Sequence, residues 1–481
     1  MRSRRCAAAF TARLAAISLL ACAVHVNAGV VVSVTPIATS GQTVPQGTLT
    51  TLNSPFTNAL GEVGFTGSIQ TPAGPTSFVW IDNGIAWLSS DALPIVITGA
   101  ETTMGIGNAG EFIYSPSVDG LDAVWGEDGL ILRETDAAPG LASLFVTFCS
   151  RPRMLPDGRS YWVSGTTTSP RGITNGRALF CRAPDGLITP VVASGQVIDG
   201  LILSDVGVDF EYDVSDSNAF RINLYDTTAA ASMDGIVAVN DAIVAREGEP
   251  NGDGDNWQNF DTVGINNVGD WLLAGDTNGP LSNEEFIAFN GSIVIREADT
   301  LAGVPLGGGS VTALSLNNIG DAVFIWNLDA AEVLFFAETA AFPSAVVVLQ
   351  VGDPIDTNGD AVADATVTDL NASGVVGPGL DLPDTGQLYL GIDAMTASGE
   401  TEMIVAVDLP GEPPPLCPAD LFPRVGDGVV GAGDLGQLLA QWGPCPDPGD
   451  CPADIFPPAT GDGIVGPGDL GDLLAQWGAC R

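Results

Sequence analysis

The sequence predicts a mainly β chain in which a tandem-repeat domain, a six- or seven-bladed β-propeller, precedes a small α-helical pair at the C-terminus. Three observations carry that expectation. Apolar and polar residues alternate with period two between Gly, Asn and Asp turns over most of the chain. An Asn-x-x-Gly turn leading into an apolar strand recurs at intervals of about 45–60 residues, the length of one four-stranded blade. The C-terminal stretch duplicates a loop followed by a Leu-rich segment of helical period.

Residues 1–28 read as a signal peptide. Arg2, Arg4 and Arg5 precede an apolar stretch from Leu14 to Val24, and Val26-Asn27-Ala28 satisfies the small-residue rule for cleavage. A secreted or cell-surface product is expected. Lipoprotein processing before Cys22 and a twin-arginine route through Arg4-Arg5 are the alternatives. Every later apolar stretch is interrupted before the roughly 20 residues a bilayer span requires, so no transmembrane segment is expected.

Charge and composition narrow the function. The formal charge of the 481 residues is −42, and loss of Arg2, Arg4, Arg5 and Arg13 with the leader takes it to −46. Such a surface repels phosphate backbones and anionic lipid and attracts divalent cations. Mean hydropathy is nevertheless +0.27, which reflects a core-forming content of Val, Ile, Leu, Ala and Gly. The single histidine, His25, lies in the leader and lysine is absent, so imidazole triads, imidazole zinc sites and Schiff-base or P-loop lysines are excluded. Carboxylate, tyrosine and arginine chemistry and oxygen-ligated metals remain.

The repeat domain is expected over 29–409. Its first recurring part is Asn108-Ala-Gly110, Asn266-Asn-Val-Gly269, Asn317-Asn-Ile-Gly320 and Asn371-Ala-Ser-Gly374, with looser copies at Leu60-Gly61, Pro156-Asp157-Gly158 and Asp216-Ser217-Asn218. Its second is a strand ending in Arg133-Glu134, Arg246-Glu247 or Arg296-Glu297. Asn and Gly suit tight turns with positive φ, and Arg-Glu is read as an ion pair between blades or a solvated pair. A ring of Arg133, Arg246 and Arg296 around a central anion channel is the sharper alternative. Tryptophans such as Trp162, Trp271 and Trp326 are assigned to the core, with stacking on sugars as the alternative. A linear array of small β-sandwiches is the second architecture. The turns resemble the surface-protein repeat family defined by Asn-x-x-Gly-x-x-x-Ala-Phe, with Asn317 to Phe324 the nearest copy, and that resemblance implies no known activity.

Two acidic loops interrupt the strands. Asp356, Asn358, Asp360 and Asp364 place oxygen side chains at alternating loop positions, as calcium (Ca2+) loops do, and a bound ion is expected. The loop from Asn251 through Asp253 and Asp255 to Asn259 shows the same alternation with a bulky follow-on and is read as a solvated turn.

After a Pro-rich linker, 410–416, residues 417–481 hold two matched units. Each opens Cys-Pro-Ala-Asp and proceeds to an Asp-Gly turn, with a second Asp that starts a helix. That spacing is the second half of an EF-hand-type loop. Leu435, Leu438, Leu439 and Trp442 share one helix face, as do Leu470, Leu473, Leu474 and Trp477, and the two faces are expected to pack together. Metal-free capped helices are the alternative. The duplicated loop-helix and the terminal Trp-Gly-x-Cys resemble dockerin modules of the Gly-Cys type. The resemblance implies calcium ligands at Asp420, Asp427, Val429 and Asp434 in one unit and Asp454, Asp462, Ile464 and Asp469 in the other. It also implies a cohesin-like scaffold as partner. The loops are longer than the family's compact Asp-x-Asn-x-Asp-Gly.

Six cysteines remain in the mature chain, and disulfides are the default in an exported protein. Cys417 with Cys445 and Cys451 with Cys480 each bracket one unit, which leaves Cys149 with Cys181; zinc is the alternative. Together these readings favour a non-catalytic binding or structural protein anchored through its C-terminal module. The rival is a carbohydrate-active hydrolase or lyase that works with paired carboxylates, and a polysaccharide is a possible ligand in either case.

Overall fold

The computed structural model describes residues 32–92, 95–98, 103–204, 210–328, 331–360, 362–370 and 379–409, and in the C-terminal region 419, 421, 429–445, 453, 455, 464–475 and 477–479. The leader and the linker 410–416 lie outside the described residues.

The chain is mainly β and arranged as a propeller. Six sheets are built from consecutive strands and a seventh closes the ring. Blade 1 runs from Thr43 to Leu88, blade 2 from Ile97 to Arg133, blade 3 from Phe145 to Ala193 and blade 4 from Phe210 to Arg246. Blade 5 runs from Trp257 to Arg296 and blade 6 from Ser310 to Gln350. In the closing sheet, blade 7, the N-terminal strand Val32–Thr39 pairs antiparallel with Gly399–Asp408, which continues to Gln387–Thr396 and the short inner strand Leu380–Asp381. Joining the first strand to the last hairpin leaves neither end of the ring with an open edge.

Successive blades stack face to face, and that explains the sequence pattern. Middle strands such as Ala322–Asn327 and Glu332–Ala337 are buried on both faces and read as continuous apolar runs. Outer strands such as Ser292–Arg296 are only partly buried because one face meets solvent. A core fills each junction, for example Trp162 and Phe180 against Ile113 and Val124 between blades 3 and 2, and Trp326 and Phe335 against Ile287 between blades 6 and 5. Trp80, Trp125, Trp162, Trp257, Trp271 and Trp326 are all core residues.

The expected bond between Cys149 and Cys181 does not form; both remain thiols. Cys149 is opposite Ser164 and Cys181 opposite Tyr161 on the strand between them. Three residues along a strand reverses the face, and the two cysteines also stand two strand spacings apart, roughly 9–10 Å, beyond disulfide reach. Cys149 accordingly packs toward blade 2 and Cys181 toward blade 4.

In the C-terminal region two helices are described, α1 (Ala432–Ala440) and α2 (Pro467–Ala475). The strand before each helix pairs with the segment after the other, Val429 with Ala479 and Pro444 with Ile464. Leu421, Val430 and Leu438 meet Ile455, Val465 and Leu473 in one core. The helix faces thus pack in part as expected, while Leu439, Trp442, Leu474 and Trp477 stay about half exposed.

Candidate functional site at the mouth of the ring

The inner strand of each blade ends in a tight turn, and these turns surround one mouth of the propeller. Gly61, Gly110, Gly269 and Gly320 adopt positive φ there. At Gly269 space also demands glycine, because a Cβ would stand 2.8 Å from the Phe220 ring of the preceding blade. The Asn that opens the motif acts through its side chain. Asn266 Oδ1 accepts the N–H groups of Val268 (3.1 Å) and Asp270 (2.9 Å), and its Nδ2 donates to the carbonyl of Asn317 in the next blade at 3.1 Å. Asn58 repeats the arrangement, accepting from Leu60 and Glu62 and donating to Gly107 of blade 2.

Residues within these turns form a relay. Ser217 N–H donates to Asn267 Oδ1 (2.6 Å), Asn267 N–H to Asn318 Oδ1 (2.8 Å) and Asn318 N–H to Asp384 Oδ1 (2.7 Å), joining blades 4, 5, 6 and 7. Blade 7 therefore turns at Pro383-Asp384-Thr385-Gly386, with Gly386 at φ +75°. The copy expected at Asn371 to Gly374 lies outside the described residues.

Behind the turns is a cavity of about 480 Å³ lined by the inner strands. Blade 3 contributes its most distinctive feature. Its inner strand bulges between Ser150 and Arg153, with Arg151 at φ +52°, a conformation that is uncommon outside glycine and clusters at functional sites. The bulge presses on blade 2, where Gly105 is required because a Cβ would meet Met154 N at 2.2 Å. Arg151 and Arg153 both line the cavity as a result.

Both arginines face acids of blade 4. Arg151 Nη1 lies 2.8 Å from Glu211 Oε1, and the Arg151 carbonyl accepts the Tyr212 hydroxyl at 2.6 Å. Arg153 pairs with Asp213 and lies 3.6 Å from Asp216. Burial alone would lower the Arg153 pKa, but Asp213, Asp216 and Asp381 together raise it. Burial pushes the Asp213 carboxyl up against the pull of Arg153 and of the Ile265 and Val214 N–H groups. Asp381 is likewise raised by burial and opposed by Thr57, whose N–H and hydroxyl donate to Oδ2 at 2.6 and 2.9 Å. Beside the mouth, Asp261, Asp276 and Glu285 bring one oxygen each within 4.8 Å of one another. Burial pushes Glu285 up to about 9 while its Oε1 accepts the Val311 N–H of blade 6.

The sequence-derived candidates lie elsewhere. Arg133, Arg246 and Arg296 close outermost strands, so a ring of these three around the channel is excluded by topology. Arg296 lies 2.8 Å from Asp253 and 3.2 Å from Asp255, so the 251–259 loop is closed by an arginine. In the other acidic loop, Asp356 Oδ1 accepts the Asn358 and Gly359 N–H groups. Asp364 accepts from Thr357 and from Asn358 Nδ2 (2.9 Å), and Asp360 Oδ1 accepts the Val362 N–H. The four side chains thus belong to one compact loop.

In the C-terminal units, Asp434 Oδ1 accepts the Leu421 N–H (2.6 Å) and Oδ2 the Gly431 N–H (2.7 Å). Asp469 does the same for Ile455 (2.8 Å) and Gly466 (2.7 Å). Each carboxylate therefore clamps the opening of its unit to the start of its helix. Val429 and Ile464 lie in the short paired strands. Asp420, Asp427, Asp454 and Asp462 lie outside the described residues, as do Cys417, Cys451 and Cys480. Cys445 is disulfide-bonded, to a partner outside the described residues.

No family model and no curated protein matches the chain. Solved structures with a similar arrangement include one of two prolyl endopeptidases (12% identity, TM-score 0.41), of which 74% of this chain covers 46%. They also include U3-55K (9%, TM-score 0.42, 77% of this chain and 98% of that one) and the polysaccharide lyase Uly1 (10%, TM-score 0.40, 77% and 91%). The chain spans about half the length of the prolyl endopeptidase. The expectation of a non-catalytic protein is corrected here, because enzymes of two kinds stand among these structures. At such identities and TM-scores the likeness concerns the fold and assigns no reaction. Among the described residues no helix is long and apolar enough to cross a membrane.

Proposed function

We propose that the chain is an exported saccharide-binding propeller, held at a surface or on a protein scaffold by its C-terminal pair. The observation that carries this reading is the 480 Å³ mouth, in which charged groups, hydroxyls and amides from different blades converge with Tyr212 and Phe56. A polar, concave site with a few aromatic faces suits a polyhydroxylated ligand. Cleavage of that ligand is the second reading, favoured by Asp213 and Asp381, whose carboxyls burial raises toward the range of a general acid. The test is retention on immobilised polysaccharides together with release of reducing or unsaturated ends, repeated with Asp213→Asn and Asp381→Asn. Failure to retain the protein on any polysaccharide sinks the reading, and retention without product removes the catalytic part.

Anchoring is supported by the duplicated exposed pairs Leu439 and Trp442, Leu474 and Trp477, which offer an apolar surface to a cohesin-like partner. Calcium is the expected ion for the 356–364 loop and for the two C-terminal loops. Surface retention should fall on joint substitution of Trp442 and Trp477 by alanine, and chelation should lower the melting temperature; unchanged values in both experiments contradict this part.

A further inference from the structure

The ring carries a second repeat, made of carboxyl groups that join one blade to the next. Glu285 opens the third strand of blade 5, and its Oε1 accepts the Val311 N–H of blade 6 at 2.7 Å. Glu332 opens the third strand of blade 6, and its Oε2 accepts at 2.9 Å the N–H of Leu370, which follows the strand Ala365–Asp369 of the closing sheet. Glu402 lies on the third strand of blade 7, and its Oε2 accepts the Leu52 N–H of blade 1 at 2.9 Å. One glutamate thus fastens each of three successive junctions, including the one that closes the ring. Blades 3 and 4 begin the same strand with Gly176 and Gly235. A Cβ at Gly235 would stand 2.7 Å from the carboxyl carbon of Glu247, which accepts the Gly235 N–H of its own blade.

Each of the three glutamates faces another acid. Asp276 is directly opposite Glu285 on the second strand, and Asp261 of the inner strand brings its oxygen within 4.8 Å of both. Glu284 and Glu297 add to the same acidic neighbourhood. Asp393 is directly opposite Glu402, and the Asp369 side chain hydrogen-bonds Glu332. Among the described residues no ion pair reaches Glu285, Glu332 or Glu402, and Arg296 of blade 5 is committed to Asp253 and Asp255. A carboxyl group buried beside a carboxylate keeps its proton, because a second negative charge there is poorly solvated and weakly screened. Burial, reinforced by the neighbouring acids, accordingly holds all three above the ordinary glutamate range against the pull of the donated N–H groups.

We propose that the junctions between blades 5 and 6, 6 and 7, and 7 and 1 form a pH-sensitive seam: loss of the glutamate protons opens the arc of blades 6 and 7 while blades 1 to 5 stay packed. An ionised glutamate regains hydration only where its junction parts, so each opening releases a proton and becomes easier as pH rises. At Glu285 the closed form is fully favoured below about 4.5, and that advantage is lost as pH climbs toward about 9. Local opening of this kind needs no change in the remaining blades.

The test is hydrogen exchange of the full chain at several pH values between about 5 and about 8, expressed as protection relative to intrinsic exchange so that base catalysis is removed. Protection in Ser310–Leu316 should fall by about tenfold per pH unit, the slope for one proton released per opening. Protection in 365–370 and in Gly47–Leu52 should fall in the same sense, while Phe145–Met154 of blade 3 should change by less than about twofold per unit. Joint replacement Glu285→Gln, Glu332→Gln and Glu402→Gln keeps an acceptor for each N–H and cannot ionise, so it should remove the difference between these segments. Asp276→Asn alone, a milder change that leaves every glutamate in place, should flatten the slope in Ser310–Leu316 and leave the other segments as they were. Flat or equal slopes in all four segments overturn the inference, as does a steep slope at the seam that survives in either variant.

Discussion

Blades 4 to 7 and blades 2 and 3 use the same turn for different ends. In the first arc, Ser217, Asn267, Asn318 and Asp384 pass hydrogen bonds from one blade to the next. In the second arc the opening Asn is replaced by Gly107 and Leu155, and the inner strand of blade 3 carries the bulge that brings Arg151 and Arg153 to the mouth. The turns of blades 4 to 7 fasten neighbours even where Ser217 and Asp384 stand in for Asn, whereas the departure in blade 3 brings two arginines to the acids of blade 4.

The largest effect should come from the second arc. Arg153→Ala leaves Asp213 and Asp216 without their cation and should cost about 2–3 kcal/mol in denaturant unfolding, less than a fully buried pair because the Arg153 side chain is 39% exposed. A cost no larger than that of an ordinary surface change would mean that the bulge does not hold the acids. Asn266→Ala or Asn317→Ala should cost about 1–3 kcal/mol, since each removes a buried turn cap. Asn108→Ala is the control, because its Oδ1 is buried without a partner among the described residues; a loss equal to that of Asn317→Ala erases the distinction between the arcs.

The third effect is a pH slope. Glu285 has a folded pKa near 9 against an ordinary 4.5, so between those values the folded state binds more protons than the unfolded one. Its contribution is present below about 4.5 and is lost as pH rises toward about 9. Glu285→Gln should flatten the decline of melting temperature across that window, and an unchanged slope rules out Glu285 as its source.

Much of the ring was legible because a turn needs residues of special conformation and a strand needs period two. Gly269 and Gly320 marked true turns, and the apolar runs marked buried strands. Asn266 was found for an incomplete reason: its amide caps the turn and reaches the next blade. The turn at Pro383 to Gly386 was missed because it contains no Asn. Arg151 and Arg153 were missed because they recur nowhere, although Arg-Pro-Arg within an apolar strand is an available signal. Cys149 and Cys181 were paired by elimination, and strand parity, which depends on register, places them on opposite faces.

The claim that the mouth is the binding site is tested most directly by hydrogen exchange on the full chain, with and without a saturating oligosaccharide of whichever polysaccharide retains the protein. Slowed exchange should concentrate in Phe145–Met154, Phe210–Val214 and the 383–386 turn. Slowed exchange confined to the outer strands or to α1 and α2, with those three segments unchanged, would contradict it.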